Sequence, residues 1–513
     1  MSSGNARMNS SLGSIPLVGI DPSMSDVFGR LKITRHQAMF DTDLEYGLQS
    51  TRWESITGNS LGGSSGTIVH MPEKGGVNLL VPASTNGAYA IRQTKRYFRY
   101  QSGKQQYTSA AALFSFPDAG VINRVGMFDD CNGLFFEQSY ADVNTTVTSA
   151  GNQVNPNGIS VVRRATIGGA VTDTKITKDQ WNTDKFDGTG PSKINLDFNK
   201  LQMFSIQFAW YGAGIATFGF YVDGRFYPAH IYKHANVVTQ AYMRTGNLPA
   251  RYEIRSISGT NAASSLYHYG TSVMTEGGFD VDRGYIYAGS NGATSITTGL
   301  TARRPVASIR AKQIATTAIT GTVSSATAST ITVSGTPWTA NQYAGLFCVM
   351  TSGTNSGKPF LIVSNTNNTL TLDTTQILYP TTTVTAADTF SIGLLNRGGI
   401  LPTDIDVYTA GGAAFIEVVL SPTLTGASWA NIGGTSLSQV DVASTALTSG
   451  EVVASYYATK DSVTRVDLTG LYPLGLNTKG LTSDILTVAV TPVSGGGTIT
   501  AANATIRFSE AQS

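Results

Sequence analysis

The sequence predicts an all-β protein: several antiparallel β-sandwich or jelly-roll-like domains in series. Three observations carry this. First, strand-like runs alternate with Gly- and Asn-rich turn signals along most of the 513 residues. Second, no helical apolar stripe longer than about 12 residues competes with that pattern. Third, only 13% of residues are charged while Gly numbers 55, against about 25% charge in ordinary soluble domains. A surface of Ser, Thr, Asn and Gly fits β-rich extracellular or virion proteins better than helical cytosolic enzymes.

The centre of the prediction is the stretch 184–253. In 201–210, Phe204, Ile206, Phe208 and Trp210 alternate with Ser205, Gln207 and Ala209. A period of two puts the large apolar residues on one strand face. The run 215–222 is apolar almost throughout, as in a strand covered on both sides. Asp223-Gly224 then separates it from 225–232. That dipeptide predicts a two-residue type I′ hairpin turn, which needs positive φ at both central positions.

In chain order, residues 1–60 read as an arm: a polar start, then mixed polarity over 21–49 with room for one short helix. The arm packs on its own domain or docks on a neighbouring subunit. Residues 61–310 form the main β-sandwich body, with strands expected at 66–71, 77–81, 88–100, 108–116, 133–138, 159–164, 194–197, 201–210, 215–222, 225–232, 250–257 and 264–275. Turn signals lie at Asn86-Gly87, Asn132-Gly133, Asn157-Gly158 and Asp187-Gly188. Residues 311–395 form a small Thr-rich β module, and 396–513 a C-terminal β-sandwich domain. The stretches 311–318 and 393–402 are expected linkers.

Charge is uneven. Residues 321–513 hold 6 Lys+Arg and 11 Asp+Glu, net −5, leaving 29 and 22, net +7, for residues 1–320. A general nucleic-acid binder is usually more basic. Cys131 and Cys348 fall in different predicted domains, so no disulfide framework is expected. The first 20 residues lack the apolar core of a signal peptide, and no run reaches the ~18 apolar residues of a membrane span.

The motifs that carry chemistry elsewhere read as structural here. His230 and His234 are four apart on or just past a strand, about 13 Å at the usual rise, too far to share a metal. Asp129-Asp130-Cys131-Asn132-Gly133 lacks the twelfth-position Glu of a calcium loop and reads as a turn beside two solvated carboxylates. Asp280 with Asp282, and Asp404 with Asp406, are alternate residues with no further ligands supplied. Two Gly-Xaa-Ser-Xaa-Gly matches share one Gly/Ser-rich run over 58–66, without the strand–turn–helix context of a nucleophile elbow. No cofactor site is expected. Paired carboxylates for glycoside cleavage are set by the fold rather than by spacing.

The most basic stretch contains Arg92, Lys95, Arg96, Tyr97, Arg99 and Tyr100. Interleaved Arg and Tyr suit a subunit interface or stacking on nucleic acid, and the modest net charge favours the interface. Tyr227 and Tyr232, with Tyr211, are the candidates for a surface aromatic patch, while Phe208 and Trp210 read as core.

Several segments resemble a group of bacteriophage structural proteins of environmental and marine tailed phages. They are Ile91-Arg-Gln-Thr-Lys-Arg-Tyr-Phe-Arg-Tyr-Gln-Ser-Gly-Lys104, Gly126-Met-Phe-Asp-Asp-Cys-Asn-Gly-Leu-Phe-Phe-Glu137, Ser160-Val-Val-Arg-Arg164 and Asp184-Lys-Phe-Asp-Gly-Thr-Gly-Pro-Ser-Lys-Ile-Asn-Leu-Asp197. Tyr221-Val-Asp-Gly-Arg-Phe-Tyr227, His234-Ala-Asn236 and Asn247-Leu-Pro-Ala-Arg-Tyr-Glu-Ile254 follow in order. Together they span about a third of the chain. Residues 345–372 also look like a small β module of phage tail and fibre proteins. The resemblance implies a virion component, carries over no catalytic residues and does not fix its place on the particle. The expected role is a non-enzymatic part of the tail apparatus, as baseplate, collar or fibre, made in the host cytoplasm. Its implied partners are other virion proteins, further copies of itself, with a trimer favoured, and a host surface glycan or receptor. It implies no specific nucleic acid and no membrane insertion. A capsid decoration or head-fibre protein is the alternative, and a polysaccharide-degrading tailspike the enzymatic one.

Overall fold

The computed structural model describes residues 6–8, 15–17, 36–211, 214–277, 286–335, 337–376, 378, 384–468, 470 and 473–511. The described chain is β throughout, with several antiparallel sheets. Its only helical turns are short 3-10 segments at Pro72–Lys74, Tyr140–Asp142 and Lys178–Gln180. Two compact units divide it. One holds residues 1–94, 100–167 and 171–280; the other holds 95–99, 168–170 and 281–513.

The first unit is a sandwich. In chain order the strands of its two large sheets are β1 (His36–Asp43), β2 (Trp53–Asn59), β3 (Thr67–Met71), β4 (Gly76–Val81), β5 (Ala88–Thr94), β6 (Gln106–Phe114), β7 (Val121–Phe128), β8 (Gly133–Ser139), β9 (Ile159–Ala165) and β10 (Thr172–Thr177). They continue with β11 (Gln202–Phe208), β12 (Ile215–Val222), β13 (Arg225–Lys233), β14 (Ala250–Ser256) and β15 (Ser264–Glu276). One sheet runs β10-β9-β8-β7-β14-β5-β2. The other runs β13-β12-β11-β6-β15-β4-β3, with β1 added on β15. An aromatic core joins them: Phe136 of the first sheet lies 5.0, 5.2 and 5.1 Å from the rings of Phe204, Phe218 and Phe220 of the second.

The β12–β13 hairpin turns as expected. Asp223 and Gly224 both have positive φ, 49° and 76°, and Val222 pairs with Arg225. Phe204, Ile206 and Phe208 are buried, and so are Ser205 and Gln207 on the opposite face.

Several expectations change. Residues 36–43 and 53–59, placed in an arm, are β1 and β2, paired with β15 and β5. The expected helix finds a strand over 36–43, and 21–35 lie outside the described residues. Residues 194–197 carry only an isolated bridge, Asp187 to Asn195. The expected linkers are strands as well: Ile314–Thr322 and Gly399–Ala410 run through them. Low charge and small side chains made these segments look unstructured, yet the first is an edge strand, which tolerates both, and the second is held on both sides, by 501–511 and 462–467.

In the second unit, β16 (Ile286–Ser290) and β17 (Arg304–Ala311) pair with strands near the C-terminus, although the sequence reading placed them in the main body. β16 pairs with 505–509, and β17 with 438–441 and 485–490. The two resulting sheets share one core of Val306, Ile309, Ile405, Ile416, Val488 and Ile506, among others. The sheet built from 314–395 has a core of its own, including Trp338, Cys348, Phe360 and Ile392.

Candidate functional site

The predicted interface residues divide by burial. Arg92 is fully buried between the sheets. Its Nη1 donates to Ser55 Oγ at 2.9 Å and its Nη2 to the Leu48 carbonyl at 2.7 Å. Burial lowers its pKa to about 10. Tyr100 is buried too, stacked on Phe208 at 6.0 Å. Tyr232 is buried and its hydroxyl donates to the Val161 and Thr174 carbonyls at 3.2 and 3.0 Å. These three side chains are structural, which corrects their assignment to a docking surface.

A bulge sets which face Tyr232 takes. The β12–β13 register shifts between Phe218 and Gly219, so Phe218 faces His230 while Gly219 faces Pro228. This bulge adds one residue near Ala229 and breaks the simple alternation. Tyr227 stays half-buried, with the Arg225 guanidinium 5.4 Å from its ring.

Lys95, Arg96, Tyr97 and Arg99 remain half-buried and belong to the second unit. Lys95 Nζ lies 3.5 Å from Asp484 Oδ1. The Arg397 guanidinium sits 4.7 Å over the Tyr97 ring, and Arg96 lies 5.7 Å from the Phe98 ring. The basic stretch is thus split: one end in a core, the other against its own chain.

The densest polar chemistry lies elsewhere, on the face of the seven-stranded sheet that turns away from the Phe136 core. Register sets it. Glu137, Arg124 and Glu253 are direct neighbours across β8, β7 and β14. Phe135, Gly126 and Arg251 form the adjacent row. Arg124 Nε donates to Glu137 Oε2 at 2.7 Å and Nη1 to Glu253 Oε1 at 2.9 Å. Arg251 Nη2 donates to Glu253 Oε2 at 2.5 Å and Nη1 to Asp130 Oδ1 at 2.7 Å. Lys175 Nζ is 2.7 Å from both Glu137 Oε1 and Asp142 Oδ2. Arg164 grips Asp173 bidentately at 2.8 and 2.9 Å.

An apolar floor of Phe128, Phe135 and Val162 supports the lattice. The guanidiniums of Arg124 and Arg164 lie 5.3 and 5.1 Å from the Phe135 ring. Gly126 is required in the row, because a Cβ there would stand 2.5 Å from the Leu134 carbonyl oxygen.

Electrostatics fix the charge states. Burial alone would raise the Glu253 pKa. The guanidiniums of Arg251 and Arg124 overcome it and hold the carboxyl at about 2. Glu137 is likewise lowered, burial being outweighed by Arg124 and Lys175. A general acid for glycoside cleavage needs a raised pKa. Glu137 and Glu253 instead stay ionised, with both oxygens of each occupied by cations.

The acidic motifs are accounted for. Asp129 Oδ1 accepts the Cys131 and Asn132 amides at 2.8 Å each, making the β7–β8 turn. Asp130 is not a solvated carboxylate as expected, since it pairs with buried Arg251. Asp404 and Asp406 both accept from Arg507. Asp280 and Asp282 lie outside the described residues. Among the described residues no group of three or more His, Cys, Asp or Glu converges as a metal set. No helix there is long and apolar enough to cross a membrane. Cys131 and Cys348 are both buried.

Two features escaped the sequence reading. Arg124, the hub of the lattice, lies in a strand that was not anticipated. Lys178 is buried with its ammonium 5.7 Å from the Phe198 ring, and burial lowers its pKa to about 8. Neither belongs to a recognisable motif.

No family model matches the chain, and no curated protein matches it. Solved structures do align with part of it. A Bacillus licheniformis β-glucanase aligns at 8% identity over 46% of this chain and 98% of its own, with a TM-score of 0.29. A structure titled for endo-acting O-glycanases of the human gut microbiota aligns at 13% identity over 46% and 98%, with a TM-score of 0.33. The carbohydrate recognition domain of Emp47p aligns at 9% over 50% and 100%, with a TM-score of 0.28. Likenesses this remote carry no inference about activity or ligand.

Proposed function

We propose that this chain is a non-enzymatic structural component of a bacteriophage virion, part of the tail apparatus as baseplate, collar or fibre. It makes contacts with other virion proteins and with further copies of itself, and reaches the host surface through them. One observation carries the reading. The segments that resemble phage structural proteins supply five members of the ionic lattice: Asp130 and Glu137 from one, Arg164 from another, Arg251 and Glu253 from a third, joined by Arg124, Lys175, Asp142 and Asp173 from the strands and turns between them. These segments therefore hold a scaffold together, and their charged groups are spent on one another rather than on a substrate. The sparsely charged, hydroxyl-rich β architecture supports the same reading.

Immunogold electron microscopy of intact particles tests it, using antibody to the purified chain. Label on the tail supports the placement. Label confined to the capsid moves the protein to the head-decoration alternative, and no label on particles overturns the virion reading. Incubation with host capsule or lipopolysaccharide tests the tailspike alternative, through release of reducing sugar that a single carboxylate substitution abolishes.

A further inference from the structure

His230 and His234 are 6% and 2% exposed. The His234 ring is stacked 3.8 Å from Tyr242 at 5° and lies 6.2 Å from Tyr232. His230 meets Tyr232 edge-on at 4.7 Å. Among the described residues, His230 Nδ1 has no hydrogen-bond partner, and neither nitrogen of His234 finds one of good geometry. The polar backbone against His234 is that of Gly214. The groups facing the pair are Phe218 on β12, Tyr242 in the following loop, and Arg163 on β9 of the other sheet, whose guanidinium also lies 6.0 Å from the Tyr232 ring. An imidazolium here would be dry and would lie near a second cation.

The segment that carries these rings is held by few anchors. β13 ends its sheet. Asn182 bonds the Ile231 backbone on both sides at 2.9 Å, the Tyr232 hydroxyl is shared between the Val161 and Thr174 carbonyls, and the Tyr242 hydroxyl reaches that of Ala209. Residues 235–241 are mostly exposed.

We propose that residues 230–242, the end of β13 and the loop after it, form an acid-released corner that opens when His230 and His234 take up protons, while the rest of both sheets stays closed. Burial holds both imidazoles at about 4, helped at His234 by Arg163. The ordinary value of about 6.5 returns once the corner opens. A pKa lowered in the closed state means that closure is favoured at neutral pH and weakens as pH falls from 6.5 towards 4. From pH 7 to pH 5 the opening constant rises about twentyfold per histidine, a few hundredfold for the pair.

Hydrogen exchange at both pH values, corrected for intrinsic rates, tests this on the full chain. Amides of 230–233 and their partners at 215–218 should speed up a few hundredfold, with those of β7 and β8 unmoved. His234→Gln should reduce the rise to about twentyfold, and His230→Gln with it should abolish it. No rise, an equal rise in both sheets, or a rise that survives the double substitution overturns the proposal. Should the double variant not fold, NMR titration of the native histidines decides. A native imidazole titrating near 6.5 refutes the device, and one that stays neutral to about pH 4 supports it.

Discussion

Arg124 Nη1 donates to Glu253 Oε1 at 2.9 Å across the β7–β14 pair, and the two residues are 129 positions apart in the chain. Both side chains are almost fully buried. Removing one partner of a buried pair strands the other, at about 3–5 kcal/mol. Arg124→Met should therefore destabilise the first unit by about that much in urea melts, since both Glu137 and Glu253 lose a cation. Adding Glu137→Gln and Glu253→Gln should recover part of the loss.

Acid should act in two steps. The neutral buried histidines lose stability as pH falls from about 6.5 to about 4. Glu253, with a folded pKa of about 2 against about 4.3 unfolded, contributes stability that is full above the unfolded value and lost below it. Its share is about 3 kcal/mol. Chemical denaturation between pH 7 and pH 2 should show the histidine decline first, and Glu253→Gln should flatten only the lower part.

Tyr232→Phe should cost about 1–2 kcal/mol, because two buried carbonyls lose a donor. The change should leave oligomeric state untouched by light scattering, as befits a core hydroxyl. Lys95→Ala, at a half-buried ion pair of 3.5 Å, should change stability by less than about 1 kcal/mol.

Gly224→Ala should cost about 1 kcal/mol in thermal melts. Its φ of 76° penalises a Cβ, although nothing stands within 4 Å of one. Gly219→Ala should be far more severe, because the added carbon would stand 2.3 Å from the Tyr227 carbonyl oxygen.

The hairpin at Asp223-Gly224 was legible because turn chemistry is local: two adjacent residues needed positive φ, and both have it. The apolar face of Phe204, Ile206 and Phe208 was legible by its period. β7 was not, because Asn123, Arg124 and Gly126 interrupt its apolar pattern. Their partners, Gln138, Glu137 and Glu253, lie on other strands, and no local pattern announces them. Tyr232 was read as surface from its residue type, while the carbonyls its hydroxyl bonds, of Val161 and Thr174, lie on distant strands. The border near residue 310 was misplaced because β16 and β17 pair with strands that come some 130 to 220 residues later. The candidate site was thus readable in its residue types but not in its pairing.

The strand order has a consequence for how the chain is made. β14 lies between β7 and β5, and β15 between β6 and β4. Both central strands are among the last of the first unit to leave the ribosome. Until residue 256 has emerged the first sheet, and until residue 276 the second, is split into two parts with bare inner edges. Sheets closed by such distant pairings fold slowly and expose sticky edges meanwhile. Chains that stop before residue 276 should accumulate as aggregates and not as smaller soluble sandwiches.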